Sequence, residues 1–284
     1  MSEFVITGFS DEIDEKITKQ FAHLNTLGIS YFEPRGIDGV NIADIDAPKR
    51  EKLKKEMKKH NIKVSSVGSP IGKIGIGDPF EPHMEKLKRV IETAHELDTK
   101  YIRVFSFFMP RGENPQNYRG EVIDRIGKMC DIAEKENVML LHENEKEIYG
   151  DTAKRCLDIL ESVDSKALRA VFDPANFVQC GETTYPDAFE MLKPYIEYMH
   201  IKDALSDGSV VPAGCGEGHV EEILSTLWQD GYEGFLSLEP HLGSFKGLEG
   251  LELDDKMLSL DGSTPEKFTL AYDSLKKIIE RVRG

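Results

Sequence analysis

The chain has 284 residues, 39% hydrophobic and 31% charged, an ordinary globular composition that argues against disorder and low complexity. Its 51 acids against 36 bases leave a formal charge of −15, a field that repels a phosphate backbone and argues against nucleic acid as a partner. No apolar run approaches the roughly 20 residues that span a bilayer, and MSEFVITGFSDEIDEK has acids where a signal peptide has a basic start, so no membrane partner and a cytoplasmic location are expected.

In chain order, short β-branched or aromatic runs alternate with longer stretches of helical period, the pattern of repeated βα units on a parallel sheet. Strands are expected at residues 4–7, 30–33, 63–67, 101–105, 138–143, 169–173, 198–201 and 234–239. Eight strands close a barrel, so the expected fold is α/β, a single (β/α)8 TIM barrel over residues 1–284. The helices between the strands are amphipathic. In the third, Met84, Leu87, Val90, Ile91, Ala94 and Leu97 form one stripe, with Glu85, Lys88, Glu92 and Glu96 elsewhere.

Asp151-Thr152 is expected to open the fifth helix, and Ser263-Thr264-Pro265-Glu266 reads as a capping box with proline in the first turn. Two segments, 107–117 and 241–262, exceed a tight βα connection and are expected at one barrel face. That face, at the carboxyl ends of the strands, is where such barrels build their sites. The cysteines Cys130, Cys156, Cys180 and Cys215 lack any C-x-x-C pair and are read as reduced thiols. Trp228, in a helical pattern, is read as core packing.

Four successive strands end in a group able to ligate a metal: Glu143 in LLHENE, Asp173 in VFDPANF, His200 in YMHIKDA and Glu239 in LSLEPHL. Each is about one βα unit from the next, so neighbouring strands bring their tips to one side of the barrel mouth. Strand-end acids also cap helices, and a lone histidine is often packed, but the ordered set is far more specific than any member. Three carboxylates and one imidazole form a hard, oxygen-rich site for one divalent ion, Mn, Mg, Co or Zn.

The segments HENEKEIYGDT, FDPANFVQCG, HIKDA, PAGCGEG and LSLEP resemble the xylose-isomerase-like barrel superfamily of sugar phosphate isomerases and epimerases, most strongly over residues 138–241. The resemblance implies that Glu143, Asp173, His200 and Glu239 take the metal positions, and that Glu143 and Glu239 also serve as catalytic acid and base. A cation on a substrate carbonyl and adjacent hydroxyl acidifies the neighbouring C–H and stabilises the enediolate. Opposed glutamates then invert a centre, whereas transfer on one face exchanges aldose and ketose.

Around this set, Lys202, Glu145, Asn176 and Arg35 are the candidate substrate-binding residues. Strand alternation is expected to aim Lys202 differently from His200, so that contact with substrate requires the following loop to turn. Glu33 and Arg103 share a face and are expected to pair with each other inside the barrel. Glu145 and Asn176 either bond a polyol or support the ligands. The segment 214–218, Gly-Cys-Gly-Glu-Gly, sits where barrels often hold phosphate, but it contains no lysine or arginine and is read as a tight turn.

The expected partner is a small sugar or polyol, and a homo-oligomer is compatible with the sequence. The nearest rival is a metal-dependent lyase, a dehydratase of a keto-polyol of the inosose or dehydroshikimate type, which needs similar groups. An apurinic endonuclease needs further histidines, yet the D-x-x-H position here is Asn176 and the loop after the seventh strand reads VVPAGCGEG. A non-catalytic polyol-binding barrel is the remaining alternative, and the intact pair Glu143 and Glu239 argues against it.

Overall fold

The computed structural model describes residues 3–244 and 261–284. Seven parallel strands form one curled sheet in the order β1 (Glu3–Gly8), β13 (Glu233–Leu238), β10 (Ile196–Ile201), β9 (Leu168–Phe172), β8 (Met139–Glu143), β7 (Tyr101–Val104) and β6 (Val67–Ile71). The eighth place belongs to β2 (Tyr31–Phe32), which pairs in parallel with β5 (Lys63–Val64). The Glu33 N–H donates to Gly8 O at 2.9 Å on one side. On the other, the Ser65 and Gly68 N–H groups donate to Phe32 O and Pro34 O at 3.0 and 2.9 Å, which closes the barrel.

All eight expected strands are present. The second is two residues long, because Pro34 has no N–H with which to continue the ladder. The third is split around Ser65 and Ser66 and runs on to Ile71. Two short antiparallel pairs, β3 (Gly36–Ile37) with β4 (Val40–Asn41) and β11 (Asp203–Ala204) with β12 (Val210–Val211), lie in the connections.

Among the described residues the α-helices are α1 (Ile17–Thr26), α2 (Ala47–His60), α3 (Glu81–Glu96), α4 (Arg119–Lys135), α5 (Ala153–Val163), α6 (Pro174–Gln179), α7 (Phe189–Leu192), α8 (Val220–Gln229) and α9 (Pro265–Arg283). In α3, Leu87, Val90, Ile91 and Ala94 are buried while Glu85, Lys88 and Glu92 are exposed, the stripe its periodicity predicts. Each such Leu, Ile or Val contributes roughly 1.5–3 kcal/mol when taken out of water. Among the described residues, no helix is long and apolar enough to cross a membrane.

Thr152 caps α5 by accepting from Arg155 N–H. The cap of α9 differs from the expected box. Thr264, not Ser263, accepts from Lys267 N–H, and the Ser263 Oγ is buried without a partner. Pro265 takes the first helical position and so makes its own predecessor the cap.

Trp228 is half-buried against the core, its ring 5.3 Å from that of Phe4. The four cysteines are free thiols. Within segment 107–117, Phe108 bridges to Gly75 and Ile148 from neighbouring loops. Of segment 241–262, residues 245–260 lie outside the described residues.

Candidate metal centre

The strands β8, β9, β10 and β13 are consecutive neighbours in the sheet, so the residues at their carboxyl ends meet. Glu143 ends β8, Asp173 follows β9, His200 is the penultimate residue of β10 and Glu239 follows β13. Each offers one ligand atom, and these four atoms lie within 4.8 Å of one another. All four residues are 3% exposed or less.

Asp173 plays both of the roles that a strand-end acid can take. Its Oδ1 caps α6 by accepting from Asn176 N–H at 2.9 Å, which aims the buried Oδ2 into the cluster, where it meets the Lys202 ammonium at 3.1 Å. The His200 Nδ1 lies 2.8 Å from Glu143 Oε1 and 3.5 Å from Glu239 Oε2.

This donor set suits a divalent cation. Burial, reinforced by Glu239 and Glu143 and opposed by Lys202, pushes the Asp173 carboxyl up to about 7, an excess of buried negative charge that a bound cation offsets. Three carboxylate oxygens and one imidazole nitrogen are ligands for Mn, Mg, Co or Zn.

The cationic side chains are arranged around the glutamates. Arg103, 2% exposed, donates to Glu143 Oε2 at 3.2 Å and lies 3.6 Å from Glu239 Oε1. Arg35 donates to Glu239 Oε1 at 3.1 Å and to Asp11 and Glu12 on its other edge. Arg35 therefore orients Glu239 from behind. Burial opposes ionisation of Glu239, but Lys202, His241, His200 and Arg103 outweigh it and hold the carboxyl well below its ordinary range.

Two expectations are corrected. Arg103 does not pair with Glu33; the Glu33 carboxylate instead accepts from Tyr198 and Ser237 hydroxyls. Both residues face the barrel interior as parity requires, but a layer fed by several strands offers several partners. Lys202 needs no turn of the loop, because two residues along a strand return to the same face. Its Nζ donates to Glu239 Oε2 at 3.2 Å and lies 3.1 Å from Asp173 Oδ2, among the groups that His200 touches.

Asn176 Nδ2 donates to Asn144 O at 2.8 Å and reaches Glu143 Oε1 at 3.4 Å, which braces that carboxylate. Glu145 pairs at 3.1 Å with Lys73, whose ammonium sits over the Phe105 ring. The glycine-rich segment is a turn built around an internal anion. Amides of Gly214, Gly216 and Gly218 donate to the Asp203 carboxylate at 2.9, 3.0 and 2.8 Å. A Cβ on Gly216 would stand 2.3 Å from Asp203 Oδ1, so only glycine allows that approach.

Sequence reasoning missed Asp11, Glu12, Lys73 and His241. Glu12 accepts from His241 N–H at 2.8 Å, and burial pushes its carboxyl up to about 8 against the pull of Arg35. The His241 Nε2 lies 3.4 Å from Glu239 Oε1. Its place two residues after Glu239 was the available signal.

Residues 21–257 match the model of the xylose isomerase-like TIM barrel family. The chain belongs to that family. A 3-dehydroshikimate dehydratase of Bacillus anthracis is 27% identical over 133 residues, 47% of this chain and 47% of the relative. The chain thus spans about half the length of the curated relatives it matches. Among solved structures, a D-tagatose 3-epimerase-like protein superposes with a TM-score of 0.74 at 19% identity, covering 100% of this chain and 98% of the other. A barrel of the family from Mycobacterium smegmatis, in complex with magnesium, gives 0.68 at 15% identity over 97% and 98%. These structural likenesses show the fold.

Proposed function

We propose that the protein is a divalent-metal-dependent isomerase or epimerase of a ketose or related polyol, working by proton transfer through an enediolate. The observation that carries this reading is the convergence of Glu143, Asp173, His200 and Glu239 within 4.8 Å at the ends of four neighbouring strands. A divalent ion held by these residues supplies the Lewis acidity that makes a C–H beside a carbonyl removable.

Glu143 and Glu239 act as base and acid, each fixed in orientation by an arginine and by its place at a strand end. Lys202, beside both Asp173 and Glu239, donates to a substrate oxygen. Asn176 and Arg35 hold the two glutamates, and Glu145 with Lys73 limits the substrate at the mouth. The whole works as one barrel domain, with neither nucleic acid nor membrane as partner and the cytoplasm as its location.

A second reading, a dehydratase of a keto-polyol, is favoured by the likeness to the Bacillus anthracis 3-dehydroshikimate dehydratase. The same two glutamates would remove the α-proton and protonate the departing β-hydroxide. Proton NMR in heavy water over a panel of ketoses, inososes and dehydroshikimate separates the two. Deuterium entry with a sugar product supports the isomerase or epimerase, loss of water supports the dehydratase, and no exchange with any metal or substrate contradicts both.

A further inference from the structure

Glu33 is 1% exposed beneath the metal centre, and neither the proton-transfer scheme nor the ligand set uses it. A buried carboxylate added below three others is costly unless something engages it. Its Oε2 accepts from Ser237 Oγ at 2.7 Å and from Tyr198 OH at 2.9 Å. Ser65 Oγ holds the same Tyr198 hydroxyl at 2.9 Å and is itself 2.8 Å from Thr7 Oγ1. Side chains from β1, β10, β13 and the break between β5 and β6 thus fix one oxygen in place.

That oxygen lies 3.4 Å from His200 Nε2, which has no hydrogen-bond partner of its own. The distance slightly exceeds an ideal N–H to oxygen contact. The other ring nitrogen, Nδ1, points at Glu143 and Glu239. Phe9 and Tyr198 stand edge-on to the imidazole at 5.1 and 5.8 Å and prevent it from swinging away. A neutral imidazole has one lone pair to give, so the nitrogen that carries hydrogen decides which nitrogen ligates.

We infer that Glu33 is a positioning residue for the metal centre: by accepting from Nε2–H it fixes His200 as the tautomer that ligates through Nδ1. The inference rests on the metal reading of the four-residue cluster. A carboxylate behind a metal-bound histidine both orients the ring and strengthens it as a ligand, and loss of such a group typically lowers metal affinity 10- to 100-fold.

The test uses Co(II) alone as probe, with no substrate. In Glu33→Gln the affinity should fall roughly 10- to 100-fold and the visible Co(II) absorption band should shift, whereas Thr7→Val, at the far end of the same polar chain and bonded to neither Glu33 nor His200, should leave both near wild type. A folded Glu33→Gln protein with lower thermal stability but unchanged Co(II) affinity and spectrum overturns the inference and makes Glu33 a packing group.

Zinc-loaded wild type with 15N-labelled histidine gives a second readout that needs no variant. Metal on Nδ1 and hydrogen on Nε2 support the inference; metal on Nε2 overturns it. Wild-type protein that binds neither Co(II) nor Zn(II) overturns the metal reading itself, and that outcome is recognised without any variant.

Discussion

Replacing Asp203 by Asn changes one heavy atom and tests how the loop beside the candidate metal centre is held. Asp203 is fully buried, and its two oxygens divide four backbone donors evenly. Oδ1 takes Ala204 and Gly218 N–H at 2.9 and 2.8 Å, and Oδ2 takes Gly214 and Gly216 N–H at 2.9 and 3.0 Å. The amide of Asn keeps one oxygen and turns an NH2 group towards two N–H donors. Two amides lose their acceptor at about 1–3 kcal/mol each, so the expected loss is about 2–6 kcal/mol. Urea denaturation at unchanged m-value, with the thermal midpoint as a cross-check, measures it. A loss below about 0.5 kcal/mol, the range of an ordinary surface change, would refute the view that Asp203 organises this loop.

Glu239→Gln should leave the barrel folded and lower turnover by about 10²–10⁴-fold, since the amide neither accepts the proton nor ligates as well; activity within twofold of wild type, measured by deuterium uptake, would remove Glu239 from the reaction. Lys202→Met removes a cation that stands 3.1 and 3.2 Å from two carboxylates of the cluster. It should tighten divalent-metal binding by about tenfold or more while lowering kcat/KM, because the repulsion between the two cations disappears. Weaker binding by calorimetry would show instead that Lys202 organises the ligands. Burial, with help from Lys86 and Arg125, holds His83 down from 6.5 to about 4, and its Nε2 accepts from Gly72 N–H at 2.7 Å. The unfolded chain takes up this proton first, so the stability that neutral His83 contributes is complete above pH 6.5 and is lost as pH falls towards 4. The loss is at most roughly 3 kcal/mol. His83→Gln should flatten that part of the urea-midpoint profile; an unchanged slope would contradict the assignment.

The four cluster residues were legible because each interrupts an apolar strand at its carboxyl end, where a charge is conspicuous, and because one βα unit separates each from the next. The face of Lys202 could be read from parity, since a residue two places from His200 shares its face, but the expectation that the two point differently misapplies that period. The partner of Arg103 was not. Parity places Glu33, Glu143 and Glu239 on the same interior, and only the closed barrel decides which carboxylate the guanidinium reaches. Glu12 and His241 sit in connections without periodicity, and they meet because β1 pairs with β13 when the barrel closes. In the sequence Asp203 is one more acid after a strand; its function depends on three glycine amides that arrive from more than ten residues away.

One divalent ion held by Glu143, Asp173, His200 and Glu239 is the centre of the proposed function. Its most direct test is titration calorimetry of chelator-treated protein with Mn(II) and Co(II), wild type beside Asp173→Asn. About one site per chain is expected in the wild type, with a loss of affinity of about 100-fold or more in the variant, because a carboxylate that touches the ion is neutralised. Wild-type protein that takes up no ion, or a variant that binds as tightly as wild type, would contradict it.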